Sequence, residues 1–279
     1  MKILNSYPLS SETTFLCGGK ARFYVEVNNL TEFENILKLH NGKYYILGAG
    51  SKTLCKDTGY DGLVISTKKL NKIELKNNLL YAECGTLLFD LHEFCLNNEL
   101  GGLEFSYGIP GSVGGAVVMN AGAFGGEVSE FVEEVVVFEN GKRKTLGKSE
   151  ISFGYRTSSL NGKNIEKVAF RLFHSPSQEI RAKQQEYLKK RSISQPNSTA
   201  SAGSVFKRSS NVIPAQLIEK LGLKGKKYGG AVISDKHANF IVNSGNATAT
   251  DIEFLIDLIE NKVYKEYNIK LEKEIIILG

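Results

Sequence analysis

Apolar residues recur at three- and four-residue spacing over residues 250–267, where Ile252, Leu255, Ile256, Ile259, Val263 and Tyr267 share one face of an expected helix. Thr250 and Glu253 read as a capping box at its start. The same spacing predicts helices over 31–40 (Phe33, Ile36, Leu37, His40) and 87–97 (Leu88, Leu91, His92, Cys95). A fourth helix runs toward Arg191, with Ser175 as N-cap, Pro176 in the first helical position and Gln178 completing a box. A short helix over 214–221 is ended by Gly222. Elsewhere the pattern shortens. Phe23, Val25 and Val27 alternate over 21–27, and apolar runs at 44–47, 63–66, 72–75, 79–83, 133–138, 143–146, 167–173 and 269–278 read as strands. Asn77-Asn78 and Asn140-Gly141 close two hairpins. The polar stretch 192–201 reads as a loop. Strands and helices mix along the whole chain, so the expected class is α+β.

Composition narrows the class of protein. The chain has 279 residues, 42% hydrophobic and 23% charged, as in globular proteins able to bury a core. No run reaches the ~20 apolar residues of a membrane helix. Residues 1–10 carry one lysine and no apolar core of a signal peptide, so a cytoplasmic protein is expected, with no membrane partner. The net charge is +5, but Lys142-Arg143-Lys144 and Lys189-Lys190-Arg191 lack interleaved aromatics. They form no nucleic-acid stripe, and the mild positive bias favours anionic small molecules. Cys17, Cys55, Cys84 and Cys95 form no C-x-x-C, and the four histidines are far apart. No metal site is expected, and the cysteines read as small apolar fillers. Asn197-Ser198-Thr199 and Asn246-Ala247-Thr248 match glycosylation acceptors, which a cytoplasmic protein does not use.

Glycine is the informative residue. It supplies 28 positions, and nine of them fall between Gly101 and Gly126. Gly48-Ala49-Gly50-Ser51-Lys52-Thr53 leaves a strand as a glycine turn followed by hydroxyls. Backbone N–H groups in such a turn can hold a diphosphate, although an ordinary strand exit uses the same residues. Gly108-Ile109-Pro110-Gly111-Ser112-Val113-Gly114-Gly115, continued by Asn120, Gly122 and Ala123, is dense enough for main chain to press on a flat or anionic ligand, or for close helix packing. Arg156, Ser204 and Glu274 are polar candidates far apart in sequence. Singly, they read as a solvated charge, a turn serine and a surface carboxylate.

The ordered set of motifs is more specific. Thr14-Phe15, Gly18-Gly19-Lys20-Ala21, the two glycine segments, Tyr155-Arg156-x-Ser158, Ala202-Gly203-Ser204-x-Phe206-Lys207, Lys236-His237-Ala238-Asn239-Phe240 and Leu271-Glu272-x-Glu274-Ile275 span nearly the whole chain. In this order they resemble the UDP-N-acetylenolpyruvoylglucosamine reductase (MurB) family, in its type II branch. The resemblance implies a two-part FAD-binding region of the vanillyl-alcohol-oxidase type, residues 1–66 and 67–180. It also implies a C-terminal α+β substrate domain, residues 181–279. Gly48 to Thr53 and Gly108 to Gly115 would cradle FAD, with Asn120, Gly122 and Ala123 continuing the wall. Neither glycine segment contains a histidine, so non-covalent FAD is expected.

The implied reaction passes hydride from NADPH, through FAD, to the outer vinyl carbon of UDP-N-acetylglucosamine enolpyruvate. Charge then develops on the substrate as an enolate, which needs cationic and hydrogen-bonding groups and a proton donor. By the family pattern Ser204 donates the proton, while Arg156 and Glu274 polarise the substrate carboxyl. Glu274 does so if protonated or acting through water. Lys207 and Lys236 are candidates for substrate phosphate or carboxylate contacts, and a monomer is expected. Two positions depart from the pattern. Arg208-Ser209 follows Phe206-Lys207 where the family has Asn-Pro, and Val232 follows Gly229-Gly230-Ala231 where it has Gln. Both fall on positions associated with nucleotide contacts, and Arg208 could take over a diphosphate contact bidentately. Two other readings are a FAD oxidoreductase of the same fold with another substrate, and a nucleotide-sugar binding protein without turnover.

Overall fold

A computed structural model describes residues 1–196 and 199–279. Asn197 and Ser198, which belong to the expected 192–201 loop and to the Asn197-Ser198-Thr199 triplet, lie outside the described residues. Among the described residues six α-helices are present: α1 Leu30–Leu39, α2 Leu88–Asn97, α3 Val113–Val118, α4 Ser177–Ser194, α5 Pro214–Lys220 and α6 Ala249–Tyr267. The chain divides into two compact units. Met1–Ile3, Tyr24–Ala49 and Leu63–Lys190 form the first; Leu4–Phe23, Gly50–Gly62 and Arg191–Gly279 form the second.

The first unit is built on a five-stranded antiparallel sheet. Its order is Lys142–Gly147, Val132–Glu139, Asn164–Phe170, Leu79–Glu83, Ile73–Lys76. Both expected hairpins form its edges. Asn77, Asn78, Asn140 and Gly141 take positive φ (50°, 60°, 51° and 76°), the conformation that matches the twist of tight hairpins. Val132, Val135, Val137 and Val168 bury one face. Tyr44–Leu47 pairs in parallel with residues 63–66, Tyr44 opposite Leu63 and Leu47 opposite Ser66, and delivers the chain to Gly48. α1 is capped by Asn29, whose Oδ1 accepts the Glu32 N–H at 2.9 Å.

α2 buries the expected face of Leu88, Leu91, His92 and Cys95. His92 is 1% exposed, and its Nε2 lies 3.0 Å from Ser106 Oγ. Ser106 Oγ donates its own proton to the Leu103 carbonyl, so the imidazole is the donor in this pair. Burial pushes the His92 imidazole down to about 4, only partly offset by the bond to Ser106, and it is neutral at pH 7. This neutral pair anchors the chain just ahead of the Gly108–Gly115 segment.

The second unit has a three-stranded sheet, Lys227–Tyr228, Ala231–Ile233 and Ile241–Asn243, with α5 and α6 packed in the same core. Ile252, Leu255, Ile256, Ile259 and Val263 of α6 are fully buried, as their spacing predicts. They meet Phe15, Leu54, Val205, Phe206 and Ile275. All four cysteines are free and buried.

Five local expectations are corrected. The capping box of α6 is formed by Thr248 and Asp251, not Thr250 and Glu253. Thr250 serves Asp57 instead: one Asp57 carboxylate accepts the N–H groups of Ala249 and Thr250 and the Thr250 hydroxyl, at 3.0, 2.8 and 2.7 Å. α4 begins at Ser177 rather than after a Ser175 cap. The Ser175 N–H is taken by the Glu99 carbonyl, and the Pro176 carbonyl receives the first helical bonds from Glu179 and Ile180. The same helix runs on to Ser194, into the stretch expected as loop. The 167–173 strand ends at Phe170, because the Arg171 N–H turns to the Phe131 carbonyl; Phe173–His174 then pairs separately with Leu100–Gly101. Only Ile276–Leu278 of the expected 269–278 strand is regular, paired in parallel with Thr53–Cys55.

The Asp57 cap predicts a measurable loss. Asp57→Ala is expected to lower stability by about 1–2 kcal/mol, read as a shift of the urea midpoint at pH 7. Burial opposes ionisation of Asp57, but the bonds from Thr250 and Ala249 outweigh it and hold the carboxyl below its usual value of 3.8. The contribution is complete above that value and is lost as pH falls through the folded-state value. The difference between wild type and variant therefore closes only in strong acid.

Candidate active site

In the first unit the two glycine segments meet. Gly48, at the exit of Tyr44–Leu47, lies so close to Ser112 that a Cβ there would collide with Ser112 Oγ. Ser112 is the N-cap of α3 and accepts the Gly115 N–H at 3.4 Å. The Gly114 N–H bonds the Cys84 carbonyl at 2.8 Å, and a Cβ on Gly114 would sit 2.9 Å from that of Cys84. Packing therefore demands glycine at 48 and 114. Gly115 differs: it is exposed, and only Ser112 Oγ, at 3.5 Å, comes within 4 Å of a Cβ placed there. The protein leaves this backbone open. Nearby, Val113 N–H bonds the Thr86 carbonyl, while the buried Thr86 hydroxyl has no hydrogen-bond partner among the described residues. An open glycine backbone and an orphaned hydroxyl fit a polar, flat-sided ligand. That α3 begins inside the glycine segment was not legible from a run so poor in helix formers.

Arg156 also belongs to the first unit. It holds φ +54°, and its guanidinium donates to the carbonyls of Gly122 at 2.6 Å and Asn120 at 3.4 Å. Its guanidinium carbon lies 4.7 Å from the Tyr155 ring centroid. Asn120, expected among cofactor contacts, is 1% exposed and spends its amide on protein. Nδ2 donates to Glu127 at 2.8 Å and to the Gly154 carbonyl at 3.1 Å, and Oδ1 accepts the Ser129 N–H at 3.1 Å. A Cβ on Gly122 would meet the Gly126 carbonyl and the Arg156 guanidinium. The 120–127 turn is thus shaped around the arginine.

In the second unit, Gly50 (φ +65°) packs against Glu12 and Thr13, and its carbonyl accepts the Thr14 N–H at 3.3 Å. The Thr13 and Thr14 side-chain oxygens are buried without a partner among the described residues, which fits a phosphate- or hydroxyl-bearing group. Ser51, Lys52 and Thr53 follow directly. Lys52 Nζ lies 2.7 Å from Glu274 Oε1 and donates to the Ser204 carbonyl at 3.0 Å. Ser204 and Glu274, 70 residues apart, thus share one cation, and sequence alone carried no signal for that.

The main chain aligns the cluster. Glu274 N–H bonds the Val205 carbonyl at 2.7 Å, Lys207 N–H bonds Glu272 at 2.8 Å, and Ile276 N–H bonds the Lys52 carbonyl at 2.7 Å. Asn239 clamps Phe206, with Oδ1 accepting its N–H at 3.0 Å and Nδ2 donating to its carbonyl at 2.8 Å. That clamp explains the asparagine in Lys236-His237-Ala238-Asn239-Phe240. Lys207 Nζ pairs with Glu272 at 2.6 Å, Lys236 Nζ meets the Ser192 carbonyl, and Arg208 is exposed. Val232 lies in the small sheet opposite Val242. Among the described residues, no group of three or more His, Cys, Asp or Glu could hold a metal ion.

The glycine-bared backbone and orphaned hydroxyls fit a bound polar cofactor, and the family matches define the class as an oxidoreductase that binds FAD. Residues 21–147 match the FAD binding domain family, and residues 195–278 match the UDP-N-acetylenolpyruvoylglucosamine reductase C-terminal domain. The UDP-N-acetylenolpyruvoylglucosamine reductase of Thermotoga petrophila is 44% identical over 96% of this chain and 95% of its own length. That of Clostridium kluyveri is 41% identical over 98% and 91%. The crystal structure of UDP-N-acetylenolpyruvylglucosamine reductase (MurB) from Thermus caldophilus superposes with a TM-score of 0.87 at 34% identity, covering 100% of this chain and 98% of that one. The chain belongs to the UDP-N-acetylenolpyruvoylglucosamine reductase family.

The packing around Asn120 generates a test. Asn120→Ala removes three side-chain hydrogen bonds from a buried site and leaves their partners unsatisfied, and is expected to cost about 2–4 kcal/mol. Chemical denaturation at pH 7 measures it. A loss within 0.5 kcal/mol of zero would contradict the buried network.

Proposed function

We propose that this chain reduces UDP-N-acetylglucosamine enolpyruvate to UDP-N-acetylmuramate with NADPH, a step of peptidoglycan precursor synthesis. Full-length family membership carries the reaction. Hydride transfer from NADPH to the outer vinyl carbon of the substrate is the chemistry that FAD would supply when bound. Gly48, Ala49, Gly50, Ser51, Lys52 and Thr53 are proposed to hold it, together with Gly108 to Gly115 and Asn120, Gly122 and Ala123. The open Gly115 backbone and the orphaned hydroxyls of Thr13, Thr14 and Thr86 support this reading.

The chain's own residues must then manage charge and a proton. In this reading Arg156, fixed on two carbonyls, faces the charge that grows on the substrate carboxyl as the enolate forms. The Ser204 hydroxyl gives its proton to the inner carbon. A carbon enolate is a strong enough base to take a proton even from a serine, whose own proton is restored from solvent. Glu274 acts beside Ser204, with the Lys52 ammonium 2.7 Å from its Oε1. Lys207, Arg208 and Lys236 contact the nucleotide, with Arg208 able to grip a diphosphate through two N–H groups. Residues 1–66 and 67–180 make the cofactor half and 181–279 the substrate half. The chain is proposed to act as a cytoplasmic monomer. No described helix is long and apolar enough to cross a membrane.

Separated half-reactions test this assignment. Under anaerobic conditions NADPH should bleach the flavin band of wild type, Ser204→Ala and Arg208→Ala alike. Substrate should restore the band quickly in wild type and at least about 100-fold more slowly in Ser204→Ala. In Arg208→Ala the apparent substrate affinity should fall about tenfold while the NADPH step is unchanged. Full recovery of the band in Ser204→Ala would remove the serine from proton delivery.

A further inference from the structure

Away from the glycine segments, two carboxyl groups of the first unit share a single guanidinium. Glu34 sits on α1, Glu166 on the strand Asn164–Phe170 and Arg143 on the edge strand Lys142–Gly147. Arg143 Nε lies 2.9 Å from Glu166 Oε2, and its Nη2 meets Glu34 Oε1. The Glu166 side chain is 1% exposed, and neither of its oxygens has an aligned hydrogen-bond donor among the described residues. The other charges around it are engaged elsewhere. Lys38 of α1 stands 4.0 Å from Glu34 Oε2 and lies over the Phe138 ring. Lys167 and Glu83, opposite each other in the register, are taken by Glu74 at 3.4 Å and by the Lys72 N–H at 3.2 Å. Cys84, whose N–H bonds the Glu166 carbonyl at 2.9 Å, has its thiol pushed up to about 12 by burial and is neutral. On the neighbouring strand Val136 and Val137 lie opposite Lys167 and Ile165, and α3 carries no charged side chain.

We propose that Glu34, Arg143 and Glu166 form a proton-operated latch between α1 and the five-stranded sheet: a proton on Glu166 balances the charge of the three and closes the latch, and its loss opens it. Two carboxylates against one guanidinium leave an excess negative charge out of water, which is costly, and one bound proton removes it. The proton also supplies the donor that the Glu166 carboxyl otherwise lacks, with Glu34 as its acceptor. Burial pushes the Glu166 carboxyl up to about 7; the Arg143 guanidinium opposes that rise and Glu34 adds to it. The latch therefore changes state near neutral pH. It joins the layer that carries Gly48 to the sheet on which α3 packs. α1 leads into Tyr44–Leu47, which ends at Gly48, and the Tyr44 hydroxyl donates to Asn164 Oδ1 at 3.1 Å across the same seam. Opening at high pH is expected to weaken the hold on FAD, a consequence that rests on the reading above that Gly48 and Gly108 to Gly115 hold it.

The test compares wild type, Glu166→Gln and Glu34→Gln as flavin-loaded full-length chains. Infrared difference spectra across neutral pH read the carbonyl stretch of a protonated carboxylic acid. Wild type should show a band that is lost on passing about pH 7. The band should be absent in Glu166→Gln, and in Glu34→Gln, where one carboxylate faces one guanidinium, it should be lost at lower pH. Glu166 binds its proton more tightly folded than unfolded, so its contribution to stability is full below the usual value of 4.5 and is lost as pH rises to about 7. The urea midpoint of Glu166→Gln relative to wild type should therefore rise between pH 5 and pH 8. Over pH 6 to 8.5 the FAD dissociation constant should increase at least about fivefold more in wild type than in Glu166→Gln. If Glu166→Gln fails to fold, Glu34→Gln carries the same comparison, with a weaker pH dependence than wild type. Absence of the acid band from wild type at pH 6, or midpoints that run parallel in all three chains, would overturn the proposal. Parallel flavin affinities also overturn it where Gly115→Val loses flavin. If Gly115→Val keeps flavin while band and midpoint follow Glu166, the cofactor reading fails and the latch stands.

Discussion

The C-terminal stretch, residues 272–278, ties the second unit together through the direction of its N–H groups. Glu274 bonds back to Val205 and Ile276 bonds to Lys52, while Glu272 receives the Lys207 N–H. Adjacent residues of an extended chain face opposite sides, so this alternation decides which side chain meets which partner. In the observed register Glu274 turns inward to Lys52, and Lys273 turns to Glu260 on α6. A slip of one residue would exchange a buried carboxylate for an ammonium facing Lys52. The pairing of Ile276–Leu278 with Thr53–Cys55 locks the register, and the buried Ile275 anchors it to the core around α6.

Local chemistry was legible in the sequence where it acts over a few residues. The asparagine-rich hairpins, the buried stripe of α6 and the face of α2 depend on neighbours within about four positions, and periodicity reports such neighbours directly. The α6 cap was misplaced by two residues because Thr248 with Asp251 and Thr250 with Glu253 present the same Thr-x-x-acid pattern. What separates them is Asp57, about 190 residues away, which claims Thr250. The same limit explains the site. The resemblance singled out Arg156, Ser204 and Glu274 by motif, but the pairing of Lys52 with Glu274 is made by tertiary register, and no local pattern encodes it. The last strand was overdrawn because residues 269–275 have a strand's composition while their backbone is spent on crossings to another segment.

In the first unit the polar machinery stands on unusual backbone. Asn120, Phe124 and Arg156 all adopt positive φ, at 42°, 54° and 54°. For residues with a Cβ this conformation costs about 1 kcal/mol or more each, and it persists only where surrounding contacts impose it. The contacts are present: the Asn120 amide is fully engaged by Glu127, Gly154 and Ser129, and the Arg156 guanidinium bonds two carbonyls of the same turn. Strain and hydrogen bonding thus act on the same few residues. The guanidinium is oriented before any ligand arrives, so in the proposed mechanism little ordering remains to be done when charge develops on the substrate.

The four cysteines acquire a second meaning once the chain is seen as a flavoenzyme. Burial pushes the thiols of Cys17, Cys84 and Cys95 up to about 12 and that of Cys55 up to about 11, so essentially none is a thiolate at neutral pH. Reduced flavins leak electrons to oxygen and release peroxide, and peroxide attacks the thiolate far faster than the thiol. A protein that hosts such a cofactor sits closest to the oxidant it generates. By keeping every sulfhydryl protonated and out of solvent, this fold is insulated against its own side reaction, and its lifetime in an aerated cell is decoupled from how often electrons go astray.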